Sequence, residues 1–349
     1  MSLRERLVKN STIEYTSLLE TSKVFMKKDM VSTPIPMINV ALSGSIDGGL
    51  TPGLTMLAGA SKSFKTGFSL LMASAYLRKH KDSAILFYDS EFGAPQGYFK
   101  TFGIPLDSVI HTPITDVEEL KHDISVQLEK LEKNDKVIII VDSIGNLASK
   151  KETEDAMDGK VVADMTRAKA LKSLFRIIST KLTLKDIPMI MINHTYKTMS
   201  LYATDVVGGG LGSYYASDNI WIIGRQQEKD GNEIAGYHFI INVEKSRYVK
   251  EKSKIPITVS YEGGINKWSG LLDLSLEAGI ITKPKVGWYA RVNQETGEIS
   301  DKNMRAKDIV DNGDFWNSVF EETNFANWIK NKYTLAMGEI LQEKEITDE

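Results

Sequence analysis

A short apolar strand that runs through a glycine-led loop into a helix limits the fold of this chain more than any other segment. Leu54–Ala58 is predicted as the strand and Thr66–Leu77 as the helix. Converging backbone N–H groups and the helix dipole make such a loop a binding site for a phosphate chain. The loop consists of Gly59, Ala60, Ser61, Lys62, Ser63, Phe64, Lys65 and Thr66.

The loop contains the side chains that a nucleoside triphosphate and its metal require. Lys65 would neutralise the β- and γ-phosphates, and the Thr66 hydroxyl would ligate Mg²⁺. Phe64 departs from the usual pattern, in which glycine precedes the lysine. On this motif alone, an ordinary strand–loop–helix turn remains the alternative to a working phosphate-binding loop (P-loop).

Apolar runs and helical patterns alternate from Met37 to about Gly270, and this alternation predicts an α/β fold. Val137–Val141 is a continuous β-branched run, typical of a strand buried on both faces of a parallel sheet. We therefore expect a mostly parallel central sheet with helices on both faces. The other strands and helices predicted for this part are Ile85–Tyr88, Val117–Leu131, Val162–Ile178 and Met189–Ile192. Three later strands, predicted as antiparallel additions at the sheet edge, are Asn219–Ile223, His238–Val243 and Ile257–Tyr261.

The two ends of the chain differ from this core. Arg4–Met30 is predicted as an amphipathic, helix-rich arm. Thr33-Pro34-Ile35-Pro36 ends any helix there, because proline lacks the backbone donor and restrains the residue before it. Beyond Ser269 a helical, aromatic-rich sequence predicts a small α+β domain. The expected organisation is an arm at residues 1–33, a core at 34–270 and a small C-terminal domain at 271–349.

Composition excludes several other kinds of protein. The 349 residues include no cysteine, which rules out disulfides, thiolate metal sites and cysteine nucleophiles. No apolar run reaches transmembrane length, and the charged N-terminus lacks the apolar segment of a signal peptide, so we expect a cytoplasmic protein without a membrane partner. The net charge of −3 does not favour nucleic-acid binding, so the local placement of charge has to decide.

Polar side chains follow three of the predicted strands. Asp142 ends the β-branched run, where it would hold Mg²⁺ together with Thr66; capping of the next helix is the alternative. Glu91 would orient and polarise the water that attacks the γ-phosphate, unless it is a surface residue at a helix start. Asn193 and His194 would sense the γ-phosphate, or only hydrogen-bond within their loop.

Two loops and one basic segment are candidates for polyanion contacts. Ala148–Gly159 contains Lys150, Lys151 and several acidic residues, and an ordinary flexible loop remains the alternative for both loops. Thr195–Tyr215 is too rich in glycine to be expected as regular structure, and we expect it to become ordered on a ligand. Its aromatic side chains, which could stack on bases, are Tyr196, Tyr202, Tyr214 and Tyr215.

The basic segment follows the predicted strand His238–Val243. That strand would deliver Lys245 and Arg247 to a defined place, as cations directed at the nucleotide of a neighbouring subunit. Most charge runs of this kind are solvated surface, and that reading remains the alternative.

The order of these motifs resembles the RecA family of strand-exchange recombinases. The resemblance is carried by Asp89-Ser90-Glu91, Val141-Asp142-Ser143, Asn193-His194, Gly208–Gly212 and Glu244-Lys245-Ser246-Arg247. Within the family, Ser61–Lys65, Asn146–Ala156 and Asp164–Lys169 are similar to the recombinases of T-even phages, a branch that shares Phe64. The likeness runs from the arm to about Trp288.

Further roles are implied by this resemblance alone. It implies that Glu91 activates water, that Tyr98 stacks on adenine and that His194 senses the γ-phosphate. It also implies that Lys245 and Arg247 reach across a subunit interface, and that the arm, up to residue 33, docks on the adjacent protomer. The two DNA-binding loops would be Ala148–Val162 and Thr195–Ser213. The residues implied in DNA binding are Lys150, Lys151, Lys160, Arg167, Tyr196, Lys197, Gly208, Gly209, Gly210, Gly212 and Ser213.

The resemblance implies a DNA-dependent ATPase that uses ATP and Mg²⁺. Such a protein would form a helical homopolymer on single-stranded DNA, pair it with homologous double-stranded DNA and exchange strands in recombination, repair and replication. A single-strand-binding protein and a recombination mediator are further expected partners, in the cytoplasm of a host cell. A ring-forming helicase with the same core is the alternative. The family's strongly acidic C-terminal tail has only a milder counterpart here, at Glu343–Glu349.

Overall fold

The fold is built on one large β-sheet. The computed structural model describes residues 1–22, 29–132, 134–159, 165–198, 205–208, 210–231 and 233–335. The strands of this described part are β1 (Gly53–Gly59), β2 (Ser83–Asp89), β3 (Val109–Pro113), β4 (Lys136–Asp142), β5 (Pro188–Asn193), β6 (Thr195–Lys197), β7 (Asp205–Val207), β8 (Asn219–Asp230), β9 (Glu233–Ser246), β10 (Lys254–Ser260), β11 (Gly264–Ile265), β12 (Ile281–Lys285) and β13 (Trp288–Arg291). Nine of these described strands form the sheet, in the order β11-β10-β9-β8-β1-β5-β4-β2-β3.

The centre of the sheet is parallel, as the sequence predicts. β1 pairs in parallel with β5 and β8, and β4 pairs in parallel with β5 and β2. Alternate residues of β4 enter two different cores: Ile138 and Ile140 pack in one, and Ile139 and Val141 in the other. A strand that is covered on both faces needs apolar residues at every position, which explains the continuous β-branched run.

Helices supply the cover on both faces of the sheet. The core on one side includes Phe68 and Leu71, and the core on the other side includes Leu120 and Leu171. Leu120 has apolar neighbours four and eight residues further along, so one side of its helix is buried. The helices are α1 (Leu3–Asn10), α2 (Pro36–Ser43), α3 (Lys65–Lys79), α4 (Gln96–Thr101), α5 (Val117–Lys130), α6 (Lys150–Met157), α7 (Thr166–Leu184), α8 (Leu211–Ala216), α9 (Leu271–Glu277), α10 (Ala306–Val310), α11 (Gly313–Glu322) and α12 (Phe325–Tyr333).

The prediction for Asn219–Ile223 was wrong. This segment begins β8, which pairs in parallel with β1 and places Thr55 beside Asn219. Its run of buried apolar residues is that of an inner strand, because β8 lies between β1 and β9. The antiparallel part of the sheet begins with β9, which contains His238–Val243, and continues with β10, which covers most of Ile257–Tyr261.

Two helix predictions also needed correction. In the arm, α1 ends at Asn10 and one 3-10 turn covers Leu19–Thr21, while residues 23–28 lie outside the described residues. Leu7 and Ile13 are 63% and 67% exposed, so these two apolar residues of the arm do not pack on the core of this chain. The helix predicted over Val162–Ile178 is α7, which begins at Thr166 and continues to Leu184.

The last described part of the chain contains α9 to α12 and the β12–β13 hairpin. Trp316, Phe325 and Ile329 belong to the same core as Phe68 of α3. The domain boundaries at residues 33 and 270 stay predictions. Within the described ranges, no helix combines the length and the apolar character needed to cross a membrane.

Candidate nucleotide-binding site

Four parallel strands bring the predicted site residues to one edge of the sheet. β1 ends at Gly59, β2 at Asp89, β4 at Asp142 and β5 at Asn193. Asp89 and Asp142 are direct neighbours in the register, as are Ala58 and Asn193. In open α/β sheets the carboxyl ends of the strands border the crevice that binds the ligand. A cleft of about 620 Å³ lies there, lined by residues that include Lys65, Thr66, Glu91, Tyr98, Asp142 and His194.

Lys65 begins α3, and its ammonium group is held over the loop. The Nζ atom donates to the carbonyl oxygens of Gly59, at 3.1 Å, and Ala60, at 2.9 Å. Burial lowers the pKa of Lys65, while the nearby Glu91 and Asp142 act in the opposite direction. A largely buried ammonium that is bonded to neutral carbonyls gains from the arrival of an anion, because charge-assisted hydrogen bonds are stronger.

Two residues of the P-loop have a left-handed backbone although neither is glycine. The φ angle is 62° at Lys62 and 62° at Phe64, and such a conformation costs roughly 1–2 kcal/mol per residue. At Phe64 aromatic packing offsets the cost: the ring stacks on Phe239 with centroids 5.4 Å apart and meets Phe68 edge-on at 5.2 Å. Gly67 leaves room for this ring, because a Cβ atom there would lie 2.6 Å from it.

Thr66 and Asp142 lie in direct contact. The Thr66 hydroxyl donates to Asp142 Oδ2 at 2.7 Å. Burial raises the pKa of Asp142 to about 6, although the Thr66 hydrogen bond acts to lower it. In the described part of the chain, the buried Asp142 Oδ1 has no hydrogen-bond partner. A carboxylate oxygen without a partner, beside a hydroxyl, fits a hard cation such as Mg²⁺, which takes oxygen ligands.

Glu91 and His194 meet at the cleft, next to Lys65. The His194 Nε2 atom lies 2.9 Å from Glu91 Oε1, and the Ser143 hydroxyl donates to the same oxygen at 2.6 Å. Asp89 Oδ1 accepts from the backbone N–H of Glu91 at 3.0 Å and so restrains the loop that carries this carboxylate. The structure therefore brings together the two side chains that the sequence assigned to water activation and phosphate sensing.

The sequence analysis did not predict the residues that form one wall of the cleft. Arg225, Tyr237, Phe239 and Tyr261 line the cleft together with Tyr98, the predicted adenine-stacking residue. Because β8 lies directly beside β1, it carries Arg225 to the P-loop, and β9 brings Tyr237 and Phe239 after it. The alternation of Tyr237 and Phe239 places both rings on one face of a strand. The alternation of Tyr237 and Phe239 is visible in the sequence. The pairing of β8 with β1, which brings these rings to the nucleotide cleft, is not.

The first predicted DNA loop contains a helix. The Ser149 side chain caps α6 in a capping box with Glu152. Lys150 and Lys151 are the first two residues of α6, and Lys151 Nζ lies 2.6 Å from Asp155 Oδ2. Lys160 lies outside the described residues, and the DNA contacts of all three lysines stay predictions.

The second loop is also more regular than expected. Tyr196 and Lys197 belong to β6, which pairs with β7, and Tyr196 is 60% exposed. The expectation that the glycine-rich stretch forms no regular structure was wrong for its last part, where α8 follows Gly210. Gly212 allows α8 to approach α7 closely, since a Cβ atom there would lie 3.1 Å from Lys172 Cα.

Other residues of this loop differ in their surroundings. Ser213 is buried, and its hydroxyl donates to the Gly210 carbonyl at 2.9 Å. The backbone N–H of Gly208 donates to the His194 carbonyl at 3.1 Å, which ties the loop to the cleft. Gly209 and Tyr202 lie outside the described residues. The DNA contacts of Gly208, Gly210, Gly212 and Ser213 stay predictions.

Arg167 holds the chain that follows Asp142. Its Nε atom donates to the Leu147 carbonyl at 2.6 Å, and Nη2 donates to the carbonyls of Ile144, at 2.9 Å, and Gly145, at 3.2 Å. The guanidinium thus shapes the start of the first loop. The contact with a DNA backbone that the resemblance implies stays a prediction.

Lys245 and Arg247 are not brought to the P-loop of their own chain. Lys245 lies beside Ile220 at the start of β8, whereas the P-loop follows the other end of β1. Lys245 Nζ donates to the Tyr214 carbonyl at 2.8 Å, and Arg247 forms an ion pair with Asp218. Both cations therefore contact the segment that runs from α8 to β8.

A mostly parallel sheet with helices on both faces, and a phosphate-binding loop after its central strand, defines a RecA-type P-loop core. A family model described as RecA N-terminal domain matches residues 14–266. A second, described as the C-terminal domain of the bacteriophage T4 recombination and repair protein, matches residues 268–329. The chain belongs to the RecA family.

Its relatives agree with this assignment. The "Recombination and repair protein" of Enterobacteria phage T4, UvsX, is 51% identical over 337 residues, which cover 95% of this chain and 86% of that protein. "Protein RecA" of Chloroherpeton thalassium is 25% identical over 276 residues, with 76% of this chain and 75% of that protein covered. "Protein RecA" of a Nocardioides species is 25% identical over 300 residues, with 83% of each chain covered. The family and the fold that the sequence predicts are thereby confirmed.

Proposed function

We propose that this chain is a DNA-dependent ATPase that forms helical filaments on single-stranded DNA and catalyses homologous pairing and strand exchange. One observation supports this above the others: the strands that end in the nucleotide site lead directly into the loops assigned to DNA. β4 ends at Asp142 and continues towards α6, and β5 ends at Asn193 and continues into β6. A change at the γ-phosphate therefore has a short covalent path to both loops. The names of the relatives, recombination and repair protein and RecA, agree with a role in recombination and repair.

The residues of the cleft divide the chemistry of ATP hydrolysis between them. Lys65 binds the β- and γ-phosphates, and Tyr98 stacks on the adenine. Thr66 and Asp142 would hold Mg²⁺, which neutralises the negative charge of the phosphates during transfer. Glu91 accepts a proton from the water that attacks the γ-phosphate. Its carboxylate is already oriented by the Ser143 hydroxyl and by a neighbouring imidazole.

We place Lys245 and Arg247 at the nucleotide of a neighbouring protomer. Within their own chain they contact the Tyr214 carbonyl and Asp218, close to the end of the second loop. A γ-phosphate on the neighbour would attract both cations, because preorganised cations stabilise charge that develops on a transferring phosphoryl group. Attraction of these cations couples the nucleotide of one protomer to the DNA loop of the next.

The DNA is held through its backbone, and base pairing reads the sequence. The first loop supplies the cations of Lys150, Lys151 and Lys160. The second loop supplies the cation of Lys197 and the exposed ring of Tyr196, which stacks on a base. A single-strand-binding protein and a recombination mediator complete the proposed set of partners.

The test compares the wild type with Lys65→Ala in ATPase assays, with and without single-stranded DNA, and in strand exchange. We expect the variant to lose both activities. Lys81→Ala, at an exposed lysine just after the same helix, should retain both. A wild-type ATPase that single-stranded DNA does not stimulate would contradict the proposal. Electron micrographs with an ATP analogue decide between assemblies, since closed rings would favour the helicase alternative over a filament.

A further inference from the structure

The P-loop is fastened to the β8–β9 ribbon at both of its left-handed residues. Arg225 of β8 donates from Nη1 to the Lys62 carbonyl at 3.0 Å. Phe239 of β9 stacks on the Phe64 ring with centroids 5.4 Å apart. Arg225 and Phe239 are themselves paired neighbours in the register of the two strands. Each strained residue of the loop is thus held by one of two adjacent residues of the ribbon.

The left-handed conformation determines how the loop presents its N–H groups. Lys62 and Phe64 have positive φ, and the intervening Ser63 does not. Alternating conformations of this kind curl successive backbone N–H groups towards one anion. A loop that contains glycine at these positions adopts this curl freely, whereas one with lysine and phenylalanine needs an external restraint to keep it.

The hydrogen bond from Arg225 supplies that restraint for one peptide unit. The Lys62 carbonyl and the Ser63 N–H belong to the same planar trans peptide, in which the two groups point in opposite directions. Holding the carbonyl on the ribbon side therefore fixes the direction of the Ser63 N–H. Arginine suits this place because its planar guanidinium can donate to a carbonyl and stack on an aromatic ring at the same time.

Arg225 is in turn oriented by an aromatic ring. Its guanidinium lies 4.9 Å from the centroid of Tyr237, and Tyr237 meets Tyr261 edge-on at 5.9 Å. Stacking on an aromatic face restrains the plane of an arginine side chain. Because Arg225 itself is exposed, its substitution acts on the loop and leaves the buried core intact.

We infer that Arg225 is a positioning residue for the phosphates of the bound nucleotide. It acts through the Lys62–Ser63 peptide, and Tyr237 orients it. The inference rests on the proposed function, since its ligand is the nucleoside di- or triphosphate of that site. On this inference, the β8–β9 ribbon keeps the P-loop in its left-handed conformation. A P-loop with glycine in place of Phe64 would not require this restraint.

The experiment measures the affinity of the full-length protein for Mg·ADP by fluorescence titration with an N-methylanthraniloyl analogue, in the absence of DNA. Arg225→Ala should weaken binding about tenfold, the effect of one lost hydrogen bond at a preorganised site. Arg225→Lys keeps one donor and should recover part of the affinity. Gln226→Ala, at the next exposed residue of β8 and outside the cleft, serves as the matched control with wild-type affinity, whereas Tyr237→Leu should give an intermediate loss.

ATPase kinetics separate positioning from catalysis. The KM for ATP should rise in Arg225→Ala by about the factor seen for ADP, with kcat within about twofold, because the loop binds phosphate equally in the ground and transition states. Wild-type affinity for ADP in Arg225→Ala, or a lower kcat at unchanged KM, overturns the inference. If Arg225→Ala lowers the melting temperature without nucleotide, Arg225→Gln, too short to reach Lys62, takes its place under the same criteria. Failure of the wild type to bind ADP would instead reject the proposed function itself.

Discussion

At Phe64 we expect substitution by glycine to destabilise the protein less than substitution by alanine, the reverse of the usual order within a helix. Replacing a buried phenylalanine by alanine costs about 3–5 kcal/mol, and the half-buried Phe64 should lose about half of that, ~2 kcal/mol. Phe64→Ala removes the contacts with Phe68, Phe102 and Phe239 but keeps the left-handed strain. Phe64→Gly loses the same contacts and relieves roughly 1–2 kcal/mol of strain, part of which the greater freedom of glycine in the unfolded chain takes back.

Thermal unfolding of the nucleotide-free protein tests this order. The glycine variant should be the more stable by about 1 kcal/mol, which in a chain of 349 residues raises the melting temperature by about 1–2 °C over the alanine variant. Arg78, exposed in the same helix with a right-handed backbone, is the matched control. There glycine should be less stable than alanine by about 1 kcal/mol. If Phe64→Ala melts at or above Phe64→Gly, the argument from backbone strain is refuted.

Three further outcomes are expected. Asp142→Asn should abolish Mg²⁺-dependent hydrolysis. Asp142 also predicts a pH dependence of stability, because burial raises its pKa from 3.8 to about 6. The wild type without nucleotide should therefore lose stability as the pH rises through 6, by at most about 3 kcal/mol. Melting curves at pH 5 and 7.5 should show the part of that loss that falls above pH 5, about 1.4 kcal/mol, in the wild type and not in the variant. Gly145→Ala would place a Cβ atom 2.6 Å from the His194 ring, so we expect the contact with Glu91 to break and kcat to fall about tenfold, at unchanged affinity for ADP. Lys150→Ala should reduce the slope of log K against log salt for single-stranded DNA by about 0.7, and an unchanged slope in filter binding would exclude a phosphate contact.

The features that the sequence predicts well are local or follow from a shared edge. The β-branched run of β4 and the loop around Lys65 are read from neighbouring residues, and the parallel arrangement then brings Glu91, Asp142 and His194 to one place. The carboxyl ends of parallel strands lie at the same edge of a sheet, and this does not depend on how the side chains pack. The positions of these side chains therefore needed no knowledge of distant contacts.

The features that were missed depend on contacts between distant parts of the chain. Nothing near Arg225 in the sequence indicates that β8 lies beside β1, so its position at the P-loop could not be predicted. Gly212 suggested a loop by composition, but it lies in α8, where the absence of a side chain leaves room for Lys172. The amphipathic pattern of the arm predicted burial, whereas Leu7 and Ile13 of its described part are exposed.

The packing of Phe64 over Gly67 affects the order in which positions 64 and 67 can be substituted. With the ring in place, any side chain at position 67 would begin 2.6 Å from ring carbons. Loss of the ring opens that space, so a substitution of Phe64 can be followed by one of Gly67. The reverse order passes through an intermediate in which the two side chains collide. A change of Phe64 first is therefore the less costly order for lineages that descend from this chain.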